Sequence, residues 1–581
     1  MLDFDLIIRN AMIVDGSGAP PFEGELAAKD GRIAAVGPRG SVTGTAAREI
    51  DAEGRTLTPG FVDVHTHYDA QITWDPNLLP SGYHGVTTAV VGNCGVGFAP
   101  AHPDKHDWLI QLMEGVEDIP GAALSEGIEW EWETFPEYLD ALERTPMAMD
   151  VATQVPHSAV RAYVMGERGA KNEPATPEDI TAMARIVKEG VAAGALGFST
   201  SRTIAHRALD GEPVPGTFAA EDELFGIGKV LGELGTGIFE VAGAGAAGED
   251  IAAPKKEVDW MRRLSAHIQR PVTFAMLQVD SAPNLWRELL DLSVEAAGEG
   301  AEIYPQVAGR PFGMLMGLQT ERHALAAKPS YMAIAHLPFE ERVAKLRDPE
   351  VKAKILGEDI VGEPGFHMIW EQYASLFPLG NPLDYEPSPD QSIEARAKRE
   401  GRDPAELLYD LMLEDDGRAI FLVPILNYSD RNCDHIYEMM HHPRAVLGLG
   451  DGGAHCALIC DASIPTFMLS HWVRDRTRGE RVPVEFAIRR MTRDTAELYG
   501  LQDRGLLAPG MKADLNLIDL DVVDLELPEA VADLPAGGRR LMQRARGYVA
   551  TFVSGVEVMR DGEPTGATPG QLIRGAQGAP A

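Results

Sequence analysis

Two histidines, His65 and His67, close the segment Pro59-Gly60-Phe61-Val62-Asp63-Val64-His65-Thr66-His67. A β-strand repeats every two residues, so both imidazoles face one side while Thr66 faces the other. Phe61, Val62 and Val64 form the apolar, β-favouring run of a buried strand, and Pro59-Gly60 marks its entry. Two neutral imidazoles at the end of such a strand can grip one divalent cation. The pair alone is weak evidence in a chain with 16 histidines, because two structural histidines give the same spacing. Two further segments strengthen it. Cys94 follows the apolar run Val86–Val91 through Gly92-Asn93, and Asp451 follows Ala445–Gly450 to open Asp451-Gly452-Gly453-Ala454-His455. A lone Asp-Gly is a common turn. An imidazole pair, a thiol and a carboxylate, each just past a strand, together make a ligand set.

The elements that must position these groups alternate in type. Strand-like runs occur at Phe61–His67, Val86–Val91, Met149–Gln154, Ala195–Ser199, Gly237–Val241, Val272–Leu277, Glu302–Val307 and Ala445–Gly450. Helix-like stretches such as Pro177–Ala192 and Asp222–Leu234 lie between many of them. The pattern predicts an α/β fold, a (β/α)8 TIM-type barrel whose catalytic groups sit at the C-terminal strand ends. A doubly wound open sheet is the alternative, but the glycine-rich phosphate loop it would want after the first strand is missing. Short strands with hairpin signals at Asp30-Gly31 and Ser554-Gly555 fill both termini. We therefore expect a small β-sandwich built from residues 1–58 and 501–562. The barrel would occupy 59–500 with an insertion at about 312–418, and 563–581 would form a flexible tail. The apolar run Ala419–Ile425 is an extra strand candidate.

Several residues are weaker candidates for substrate binding. His157 follows the third strand, and Arg202 and His206 lie beyond the fourth. Gln278 ends the sixth, Arg310 follows the seventh, and His455 follows Asp451. Each has an equal rival as a packed or ion-paired residue. Glu240 in the fifth strand is a replacement ligand if its carboxylate faces inward. The aromatic and acidic stretch Glu129–Phe135 is either a cap over the site or a surface element with one buried edge.

Composition narrows the class. At 581 residues the chain exceeds what one core usually supports. A formal charge of −36 would repel nucleic acid, so none is expected as a partner. No apolar run is long enough to span a membrane, and the acidic start lacks a signal-peptide pattern, which predicts a cytoplasmic protein. Four cysteines, Cys94, Cys433, Cys456 and Cys460, make no C-x-x-C pair. A homo-oligomer is compatible with this fold class.

These segments together resemble the amidohydrolase superfamily and, within it, the N-acyl-D-amino-acid deacylase (D-aminoacylase) family. The matching residues are Ile13–Gly18, Pro59–His67, Gly85–Thr88 with Gly92–Gly95, Gly194–Thr200, Asp451–His455 and Arg504–Leu515. The resemblance implies a zinc-bearing barrel joined to a sandwich made from both termini. It implies that His65 and His67 are first-strand metal ligands, that Cys94 is a thiolate ligand, and that Asp451 touches metal and water as general base. The family also places metal-binding histidines at the fifth and sixth strands, where this chain has none, which marks a divergent branch. The expected cofactor is Zn2+, one or two ions, with one favoured. The expected reaction is hydrolysis of a linear amide, an N-acyl amino acid or related N-acyl compound, by metal-activated water. A cyclic-amide hydrolase and a metal-free binding or assembly relative are the alternatives.

Overall fold

The computed structural model describes residues 2–362 and 367–580. All eight expected parallel strands form, with ends shifted by a few residues. They are Phe61–Asp63, Val86–Val91, a third strand split into Asp150–Thr153 and Val155–Pro156, Gly197–Ser201, Ile238–Ala242, Val272–Ala275, Ile303–Val307 and Val446–Leu447. Each pairs in parallel with the next in chain order. The segment after the eighth returns to the first: Thr66 bridges Gly452, His67 N donates to Gly452 O at 2.7 Å, and Asp451 N donates to His65 O at 3.0 Å. Their sequences are near-continuous apolar runs because both faces are covered. Helices such as Pro177–Ala193 and Glu221–Leu234 lie between successive strands, the first started by a capping box between Thr176 and Asp179. The fold is α/β.

Strands from both ends of the chain share one nine-stranded sheet, in which Thr56–Pro59 pairs antiparallel with Leu515–Ile518. The Asp30-Gly31 signal makes a two-residue hairpin with both residues left-handed, φ 50° and 76°, as the type I′ turn requires. Ser554-Gly555 does the same. Ile8, Ile13, Leu26, Leu57, Leu515 and Phe552 form the buried face.

Two expectations need correction. The insertion does not stop at 418: the run at 419–425 becomes the strand Phe421–Leu426, which pairs antiparallel with Phe312–Met316 and Phe377–Pro378. These strands and the helices between them have their own core, including Met314, Trp370, Leu407 and Val423. Nor is the described part of the expected tail, 563–580, loose; Ala581 lies outside the described residues. Gly570 and Leu572 bridge Met147 and Val151, Arg574 pairs with Asp140 and Glu143 at 2.6 Å each, and Ile573 is buried. Ile573 joins Val62, Val90, Ala152, Leu196 and Ile238 in one cluster on the first five parallel strands. Leu572 beside it packs against the main core. Among the described residues no helix is long and apolar enough to cross a membrane.

Candidate metal centre

The ends of the first, second and eighth parallel strands bring His65, His67, Cys94 and Asp451 together. His65 Nε2 lies 3.3 Å from Cys94 Sγ and 3.4 Å from Asp451 Oδ1, and His67 Nε2 lies 3.8 Å from the same oxygen. One ligand atom from each of His65, His67 and Cys94 falls within 4.8 Å of the others. On the other side of its ring, His65 Nδ1 meets Gln306 Oε1 at 2.7 Å. An amide oxygen only accepts, so the proton sits on Nδ1 and the Nε2 lone pair faces the cluster.

Local backbone chemistry explains how these groups are held. The turn carrying Cys94 needs its glycines: a Cβ on Gly92 (φ 78°) would lie 2.4 Å from Gln154 O, and one on Gly95 (φ 68°) 2.6 Å from Ser201 N. Between them Asn93 donates to Thr66 O and Val90 O and accepts from Gln154, tying three strand ends. Cys94, Asp451 and His455 are themselves left-handed, with φ of 54°, 45° and 48°. Such backbone is costly for residues with side chains and gathers at functional sites.

The electrostatics is one-sided. Burial lifts the proton affinity of Cys94, Glu117 and Asp451 well above the ordinary range and pushes Glu240 to about 8 and Asp69 to about 7. Anionic neighbours add to burial at Cys94, Glu117, Glu240 and Asp451. Burial also pulls His65 down to about 4, so it stays neutral and able to ligate. Glu240 Oε1, Asp69 Oδ2 and His67 Nδ1 are buried with no hydrogen-bond partner. Crowded carboxylates and a thiol beside neutral imidazoles fit a divalent cation, whose charge compensates the anions. The residues present therefore fit zinc.

Some candidates fall elsewhere. His157 spends both ring nitrogens on Thr200 and Glu223, at 2.8 and 2.9 Å, beside Arg161, which leaves none for a ligand. Arg310 is fully buried against Asp461, Ser463 and Cys460 O, and Arg202 pairs with Glu257 at 2.8 Å, so both arginines are engaged in the scaffold. Gln278 bonds Asp430, Pro283 O and Ser429 N and ties two loops together. His206 is held by Ser201 Oγ at 2.9 Å, and burial pulls it down to about 4, so it stays neutral. His455 lies 3.8 Å from Glu117 and is half-buried at the cluster's edge. Trp130 stacks on His106 and packs against Trp132, so the aromatic stretch is a packed cluster.

Glu240, the replacement-ligand candidate, accepts from Cys94 N through Oε2 at 2.9 Å, which supports the strained turn, while its Oε1 is buried without a partner. Gln306 and Glu117 were not among the sequence candidates. Glu117 left a usable signal: in the helix His106–Glu117 the buried residues are Leu109, Ile110, Leu112, Met113 and Val116, and a glutamate one turn after Met113 continues that apolar face.

Residues 48–563 match the model of the amidohydrolase family. A D-aminoacylase of Alcaligenes xylosoxydans xylosoxydans is 28% identical over 98% of this chain and 97% of its own length. An N-acyl-D-aspartate deacylase from the same organism is 27% identical over 98% and 95%. The crystal structure of N-acyl-D-glutamate deacylase from Bordetella bronchiseptica, complexed with zinc and a phosphonate mimic of the tetrahedral intermediate, superposes with a TM-score of 0.63 at 23% identity, covering 98% of this chain and 99% of that one.

Proposed function

Because the chain belongs to the amidohydrolase family, we propose that it hydrolyses the linear amide of an N-acyl amino acid or related N-acyl compound. It is a metal-dependent hydrolase of carbon–nitrogen bonds other than peptide bonds, with zinc as cofactor. We read the eight parallel strands as a closed (β/α)8 barrel and the terminal strands as a β-sandwich, divided near residues 59 and 501. The active site then lies at the C-terminal strand ends.

His65, His67, Cys94 and Asp451 would hold one ion. The chemistry zinc supplies when bound there is Lewis acidity, which brings the pKa of water toward about 7 and polarises an amide carbonyl. Gln306 keeps the His65 proton on Nδ1, so Nε2 stays free to donate its lone pair. Asp451 turns Oδ1 toward the imidazoles, which leaves Oδ2 to take a proton from the attacking water and pass it to the departing nitrogen. Burial raises that carboxylate's proton affinity above the ordinary range, which favours its taking up a proton. In this reading His206 and His455, the two histidines near the cluster outside the ligand set, would meet the substrate's polar groups.

The observation that carries this reading is the approach of His65 Nε2 to both Cys94 Sγ and Asp451 Oδ1 within 3.4 Å. The test is Asp451→Asn in zinc-reconstituted protein, assayed on N-acyl-D- and N-acyl-L-amino acids. Turnover should fall by about 100-fold or more while at least part of the zinc is kept. Full turnover would remove Asp451 from proton transfer. Release of one product instead of two would mean a cyclic amide, and wild-type protein that takes up no zinc would leave a metal-free relative.

A further inference from the structure

Glu117 is the last residue of the helix His106–Glu117 and is 2% exposed. A buried carboxylate is costly unless a partner compensates it. The charged neighbours acting on this one, Asp451 and Asp69, are both repulsive. Its oxygens instead face two imidazoles: Oε1 lies 3.4 Å from His67 Nδ1, and Oε2 lies 3.8 Å from His455 Nε2. His67 Nδ1 is buried and has no hydrogen-bond partner, and the opposite nitrogen, Nε2, is the one turned to Asp451. The backbone locks the arrangement, because His455 N donates to Glu117 O.

The two histidines are thus backed in parallel ways. Behind His65 stands a neutral amide oxygen, and behind His67 a carboxylate. Only an acceptor can face the protonated nitrogen of a neutral imidazole whose other nitrogen ligates. An anionic acceptor also raises the basicity of the ligating nitrogen.

We propose that Glu117 is a positioning residue: it holds the His67 proton on Nδ1, directs the Nε2 lone pair into the metal centre, and couples that imidazole to His455 at the edge. The inference rests on the reading that His67 ligates the metal.

The experiment compares wild type with Glu117→Gln and Glu117→Asp. It reads zinc affinity by competition with a chromophoric chelator, the absorption spectrum of the cobalt-substituted protein, and the melting temperature of the metal-free chain. Glu117→Gln should weaken zinc by about 10–100-fold and alter the cobalt spectrum. The metal-free protein should melt no lower than wild type, since glutamine fills the same buried space and keeps a polar atom toward each imidazole. Glu117→Asp keeps the charge but withdraws it by one methylene, and should weaken zinc by a smaller factor. Zinc affinity within twofold of wild type in either variant would overturn the role. So would a lowered metal-free melting temperature with an unchanged cobalt spectrum, the mark of a purely structural glutamate. Wild-type protein that binds no zinc would instead defeat the reading of His67 as a ligand.

Discussion

At Cys94 a left-handed backbone, a carboxylate on its amide and an imidazole 3.3 Å from its sulfur all meet. If the thiolate ligates, Cys94→Ser should weaken zinc and remove the thiolate charge-transfer band of the cobalt protein. A retained band would leave the sulfur as packing. His67→Ala should lose zinc and activity together, checked by metal analysis and turnover on one preparation. His65, His67, Cys94 and Asp451 were legible because strand ends and short spacings mark them locally. Gln306 and Glu117 were not, since their meaning depends on which rings fold against them. Gln306 sits inside the apolar strand Ile303–Val307, and Glu117 shows in sequence only that it continues a buried helix face, not which ring it meets. The engagement of Arg202 and Arg310 in ion pairs was equally hidden, because a partner such as Asp461 lies far along the chain.

Elements were read more surely than their edges. Period and apolar content located eight parallel strands, yet the third is interrupted at Gln154, whose amide turns to Asn93 beneath the Cys94 turn. The closing strand of the insertion, Phe421–Leu426, was legible as a strand candidate, but its place became clear only from its antiparallel partners at 312–316. Ile573 was the least visible element feature, one isoleucine in a stretch poor in other apolar residues. Ile573→Ala should cost about 2–4 kcal/mol in denaturant unfolding, because it empties a packed site shared by five strands. Removing residues 569–581 should lower the melting temperature further, by deleting the bridges to Met147 and Val151 and the Arg574 ion pairs as well. Melting equal to the full chain would show that this segment is only laid on the surface.

For the molecule as a whole, buried neutral histidines set the acid limit. His84 is fully buried between Thr466 Oγ1 at 2.8 Å and Gln543 O at 3.0 Å, and burial holds it down to about 3 from an ordinary value of 6.5. The unfolded chain then binds the proton first, so the stabilisation is complete above pH 6.5 and is lost as pH falls from there toward about 3. His435, pulled down to about 4, acts with the same sign. The melting temperature should fall between pH 6.5 and 4, and His84→Gln, which keeps a donor and an acceptor, should make that fall shallower. An unchanged slope would assign the acid response to other groups. The shared sheet has a consequence for synthesis. Strand Thr56–Pro59 can find its neighbour Leu515–Ile518 only after the whole intervening chain has been translated. At roughly 5–20 residues per second that delay runs to tens of seconds. During it the newborn hairpins offer a bare edge to other nascent chains, so a chaperone that shields such edges should raise the yield of folded enzyme.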